Sequence, residues 1–355
     1  MKKNILFILA TILIVLACKT YEDNDVSTIE IFHQDYYNVN ISPAIVNFKS
    51  EIEKQIVFGE RFKNDTSLEN LNKLQEQWLV SAKAFSKTRA YNILAIKALY
   101  YDIILYNFPI TPKSIEDNIA KKTIYNSDYF RNNSTVSKGL GTLEYLLYNN
   151  QNTNTALTLL KEDSYRVDYL LGVTEEVLRQ TNLLINFWES DYKETFIKAT
   201  SISCSDNARC LAFNQLINIL DIIRVTKIGK PAGLEGSNSI AIESLEAYRS
   251  ESSLELIKSS IEEVQNAYTN STVNFSKIVD EIADSSEASI AINNSFNSVF
   301  GYINAIDTSL YIAIQENNPN VKLLYESLFE LVKYFSVDAA SILSVTVLPT
   351  DNDGD

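Results

Sequence analysis

The chain has 355 residues, with 45 acidic against 31 basic side chains, one histidine and three cysteines. A surface of that sign repels nucleic acid and anionic lipid headgroups, and no basic cluster interrupts it, so nucleic-acid binding is set aside. With a single histidine, His33, imidazole-based metal sites and catalytic triads have almost nothing to draw on.

Lys2 and Lys3 precede an apolar run from Ile5 to Ala17, the layout of a secretory signal peptide over residues 1–17. The run is shorter than the ~20 residues a membrane-spanning helix needs. Val15-Leu16-Ala17-Cys18 looks like a bacterial lipobox, which would make Cys18 the lipidated first residue of the mature protein. Several acyl chains on one cysteine give a firm membrane hold. Removing the leader takes away two lysines and no acid, so the mature surface is more acidic still. Residues 18–40 then read as a tether. Glu22, Asp23 and Asp25 lie just after Cys18, in an acidic stretch that resembles a surface-display signal of some Gram-negative bacteria. The expected location is the outer membrane, on its periplasmic face or at the cell surface.

Helical periodicity dominates from residue 44 to residue 345, in segments near 44–63, 67–86, 87–106, 165–189, 208–228, 239–269, 287–316 and 320–344. The clearest is 165–189, where Val167, Leu170, Leu171, Thr174, Val177, Leu178, Thr181, Leu184, Ile185 and Trp188 keep to one face. All six prolines fall at segment edges. Strand patterns are scarce, so the fold class is all-α, and the length favours two helical-bundle domains. The polar run Asn149–Asp163 offers one boundary and the turn around Cys204 another; the first gives bundles over residues 41–163 and 164–349, with an acidic tail over 350–355. Cys204 and Cys210 stand six apart among small polar residues. In an oxidising compartment they read as a disulfide closing a turn, the zinc alternative lacking further thiolate or imidazole ligands. The tail Asp351-Asn352-Asp353-Gly354-Asp355 mimics the start of a calcium loop but has no closing glutamate.

Before the polar run, a helix start reads Lys138-Gly139-Leu140-Gly141-Thr142-Leu143-Glu144-Tyr145-Leu146-Leu147-Tyr148. It resembles the G-x-H-x-x-E signature of the imelysin family, with Gly141 where the histidine would stand. The resemblance continues through Trp78, Phe85 and Arg89, through Lys227-Ile228-Gly229-Lys230-Pro231-Ala232-Gly233, and through Glu243-Ser244 and Ser252-Ser253-Leu254. It implies an all-helical envelope protein of two bundles with a cleft, tied to iron acquisition, with iron or haem as ligand. An outer-membrane iron transport protein is the partner it implies.

A histidine three residues before Glu144 would share its helix face. Without it, no catalytic residue and no metal site is expected. Glu144, Trp78, Lys227 and Glu243 are the ligand-binding candidates, although a residue like Lys227 more often marks a helix end, and tryptophans like Trp78 and Trp188 are more often core anchors. Tyr91, Tyr101 and Tyr145 are hard oxygen donors whose spacing helical packing also explains. The leading expectation is a monomeric, non-catalytic binding lipoprotein. A metallopeptidase and an adaptor for an outer-membrane transporter are the alternatives.

Overall fold

The computed structural model describes residues 23–236 and 239–352, so Cys18 and the leader lie outside the described residues. The described chain is helical, without a strand; Thr200 and Asn207 form an isolated bridge. The principal helices are α1 (Asp23–Tyr36), α2 (Ser42–Asn64), α3 (Leu68–Thr88), α4 (Leu140–Tyr148), α5 (Ser164–Phe187), α6 (Ala208–Ile222), α7 (Ser253–Thr269), α8 (Glu287–Ala305) and α9 (Pro319–Lys333). Their starts follow capping chemistry. Ser67 accepts from the Asn70 amide at α3, Asn207 from Cys210 at α6 and Asn318 from Asn320 at α9, where Pro319 sits in the first turn. No described helix is long and apolar enough to cross a membrane.

Two hydrophobic cores organise the helices. In the first, Phe48 and Ile52 of α2, Leu71, Leu74 and Trp78 of α3, Leu143 and Leu146 of α4 and Leu170 of α5 come together. The second gathers Phe213 and Leu216 of α6, Ile257 and Ile261 of α7, Phe296 of α8 and Leu328 of α9. Helix α7 joins them, giving Leu256 to the first core and Ile257 to the second. The cores do not part at residue 163. Residues 153–162 are helical, with Ala156 and Leu160 in the first core, and α5 stays there as far as Val177 before reaching the second at Leu184.

Four expectations need correction. The segment 18–40 is not a tether throughout, because Phe32, His33, Tyr36 and Tyr37 are buried. His33, near-solitary in sequence, donates from Nδ1 to the Ile197 carbonyl (2.8 Å) and accepts at Nε2 from the Arg209 amide (3.0 Å). Burial lowers its pKa, so it stays a neutral structural imidazole. Residues 87–106 are not one helix. After Thr88 come 3₁₀ turns at Arg89–Tyr91 and Leu94–Leu99 and a short helix at Tyr101–Leu105, with positive φ at Leu94 and Tyr100. Tyr91, Ile93, Ile96 and Leu105 are all buried, Leu105 in the first core and the others in the second, so the apolar spacing reports two-sided packing. The helix expected over 239–269 begins only at Ser253, since Ala247 and Glu251 adopt positive φ. The one expected over 287–316 breaks after Ala305 and restarts at Leu310 under a Ser309 cap. The Cys204–Cys210 disulfide is formed, with Cα atoms 5.3 Å apart.

Candidate functional site

A cavity of about 220 Å³ opens beside the junction of the two cores. Its walls come from the irregular segment after α3 (Asn92, Asp102, Tyr106), from α6 and the wide turn that extends it (Gln215, Asn218, Lys227), and from Glu246. Where sequence periodicity failed, at residues 89–106 and 242–252, the chain is building these walls.

The buried feature of the cavity is a three-charge cluster. Arg89 places Nη2 2.8 Å and Nη1 3.2 Å from the two carboxylate oxygens of Glu246. Lys227 Nζ donates to Oε2 of the same carboxylate. Burial opposes the charge on Glu246, but Arg89 and Lys227 outweigh it and hold the carboxyl down to about 2. Lys227 shifts the other way for a cation with a carboxylate partner: burial and the field of Arg89 bring it down to about 8, with Glu246 only partly offsetting them. Two buried cations thus share the Glu246 carboxylate, and Asp102 and Asp351 line the same cavity. The Arg89 guanidinium also lies over the rings of Phe85 and Tyr106, at 5.0 and 5.4 Å.

Glu144 lies beside this cavity without lining it. Its side chain is fully buried, and Oε1 accepts from the Ser250 amide (2.9 Å) and hydroxyl (3.1 Å). Oε2 has no protein partner. Burial pushes the carboxyl up to about 7, against the opposing pull of Ser250 and Arg249. Tyr106 is the link. It lines the cavity, its hydroxyl has no protein partner, and both Glu144 and Glu246 add to the burial that raises its pKa.

The motif glycines explain how this wall is seated. Gly139 has φ of 81°, and a Cβ there would lie 2.7 Å from the Leu105 carbonyl oxygen. A Cβ on Gly141 would lie 2.5 Å from the Asn107 carbonyl oxygen and 2.9 Å from Ile110 Cγ2. The backbone of residues 105–110 therefore rests directly on the start of α4, in the space a larger side chain would need.

The remaining candidates separate. Trp78 is a core anchor: it is fully buried, donates from Nε1 to the Leu140 carbonyl at 3.0 Å, and fixes the start of α4. Glu243 is exposed and does not line the cavity; the carboxylate that does is Glu246, three residues on. Lys227 is in place. Tyr91 donates to Glu263 and Tyr145 to Glu116 at 2.7 Å, while Tyr101 is only half-buried, so the three do not form one donor set. Among the described residues, no group of three His, Cys, Asp or Glu side chains is placed to hold a metal ion. Arg89 entered the sequence reading only as part of a family resemblance, and Glu246 not at all. Their pairing spans 157 residues, which leaves no local signal to read.

An all-α protein with two cores and a polar, charged cavity beside their junction is the class these features define. The Imelysin family model matches residues 59–333, and the chain belongs to that family. A crystallised Imelysin-like protein from Psychrobacter arcticum 273-4 has the same fold, with TM-score 0.78 and 17% identity over 92% of this chain and 99% of its own. A candidate iron-regulated protein A precursor from Parabacteroides distasonis ATCC 8503 is similar too, with TM-score 0.73 and 16% identity over 91% and 97% of the two chains. Among curated proteins the chain has no significant match.

Proposed function

We propose that this chain is a non-catalytic ligand-binding lipoprotein of the bacterial envelope, serving iron uptake through the cavity between its cores. The observation that carries this reading is the Arg89–Glu246–Lys227 cluster, a buried polar constellation larger than either core needs. Buried charges are costly unless paired, and here two buried cations converge on one carboxylate at a cavity wall. The family and the iron-regulated description of a similar protein supply the link to iron. The cavity's 220 Å³ falls below the ~300–1,000 Å³ of pockets for drug-sized ligands, which favours ferric iron with a small chelator. Haem is larger and requires the walls to part.

The peptidase alternative is disfavoured by the donor set: Glu144 is sealed from the cavity, and His33 is committed to Ile197 and Arg209. The adaptor alternative has no observation specific to it. An outer-membrane iron transport protein as partner, anchorage through Cys18 and action as a monomer complete the proposal.

Calorimetric titration of the purified chain with ferric citrate and, separately, haemin tests it. Saturable binding of one of them, lost in Arg89→Gln and kept in Glu243→Gln, is expected; peptide cleavage without such binding sinks the proposal. Protease shaving of intact cells separates a periplasmic orientation, which survives, from a displayed one, which does not.

A further inference from the structure

After the last helical turn the chain runs extended along one face of α6. Asn214 donates from Nδ2 to the Thr346 carbonyl (3.0 Å) and accepts at Oδ1 from the Leu348 amide (2.7 Å). Asn218 accepts at Oδ1 from the Asp351 amide (2.8 Å) and donates from Nδ2 to Asp351 Oδ2 (2.9 Å). Asp221 Oδ2 accepts from the Thr350 hydroxyl (2.8 Å) and from Asn352 Nδ2 (3.0 Å). Spacings of four and three residues align Asn214, Asn218 and Asp221 as one polar stripe on the helix.

Asp351 reaches further. Its other oxygen, Oδ1, accepts from Lys97 Nζ at 2.5 Å, and Lys97 belongs to the 3₁₀ turn Leu94–Leu99, in the irregular segment that also supplies the lining residues Asn92 and Asp102. Asp351 also lines the cavity, together with Asn218 and Asp102. One carboxylate at the cavity wall thus ties α6 to the Leu94–Leu99 turn. The bond to α6 is a set of amide hydrogen bonds, whereas the bond to Lys97 is a half-exposed ion pair, with side chains 50% and 45% exposed. Pairs of that kind are weak and salt-sensitive. The Lys97 side is therefore the one that opens.

We propose that residues 346–352 form a strap that latches the cavity mouth through Asp351 and Lys97, and that solutes pass when this latch releases. This regulates the site assigned above and rests on that assignment only for what passes.

The test needs no ligand. Ser260 lines the cavity and is 2% exposed, so the full chain carrying Cys18→Ser and Ser260→Cys, in detergent, presents one cavity thiol beside the Cys204–Cys210 disulfide. Its labelling by a small methanethiosulfonate reagent should quicken about threefold to fivefold when Lys97→Ala is added, the scale of one weak ion pair. Raising salt should quicken labelling with Lys97 present and leave the Lys97→Ala chain unchanged. A thiol placed by Ala82→Cys in the first core should not respond. Equal rates with and without Lys97, or equal acceleration at Ala82→Cys, would overturn the strap. Gated labelling without ferric binding would sink the function above while leaving the strap; ferric binding with ungated labelling would do the reverse.

Discussion

Glu144 and Gly141 are adjacent parts of one motif, and the structure gives them different work. The folded chain keeps a proton on Glu144 up to about pH 7, while the unfolded chain loses it near 4.5. Through that window the folded state binds more protons, so stability falls as pH rises from 4.5 to about 7 and then levels off. Glu144→Gln keeps an acceptor for Ser250 and carries no charge. It should be more stable than the parent at pH 8 by on the order of 3 kcal/mol and close to it at pH 4.5, measured by urea unfolding at the two values. Equal stabilities at pH 8 would show that the carboxylate is better solvated than its burial implies. At Gly141 even a methyl group meets the Asn107 carbonyl. Gly141→Ala should therefore lose stability, because about 1–3 kcal/mol of overpacking exceeds the ~1 kcal/mol that alanine gains in a helix. Urea midpoints decide it, a rise in midpoint counting against the close approach. Glu144 and Lys227 were legible in the sequence through two stretches that resemble the family's. The sequence could not distinguish Glu243 from Glu246, because which of two nearby carboxylates turns inward depends on the backbone of an irregular turn.

Among the elements, α2 and α9 were readable because each buries one face, and a one-sided burial writes its period into the sequence. Residues 87–106 were misread for the complementary reason. They are packed on two sides, so apolar residues recur without requiring a helix, and Leu94 and Tyr100 take left-handed backbone conformations. The segment 239–252 failed likewise, and it carries Glu246. Removing that carboxylate leaves Arg89 and Lys227 buried with no counter-charge, so Glu246→Ala should cost about 3–5 kcal/mol, the scale for breaking a buried ion pair. Adding Lys227→Met to Glu246→Ala should restore part of the loss, since one unpaired cation disappears. Urea unfolding of the parent, Glu246→Ala, Lys227→Met and the double variant measures this, and strict additivity of the two substitutions would show that Lys227 and Glu246 act independently.

For the whole molecule, the all-helical class and the family were legible, because long amphipathic helices and an ordered series of short matches survive in sequence. The way the cores meet was not. Helix α5 serves both, α7 joins them, and residues 32–37 pack into the second core although they precede the first in the chain. The cavity exists only where these long-range pairings converge. Hydrogen–deuterium exchange of the full chain with and without saturating ferric citrate tests the central claim most directly. Slower exchange is expected in residues 89–92, 215–227 and 244–246, with the interior of α8 unchanged. Bound iron that leaves those three segments unaltered and protects a surface elsewhere would contradict it.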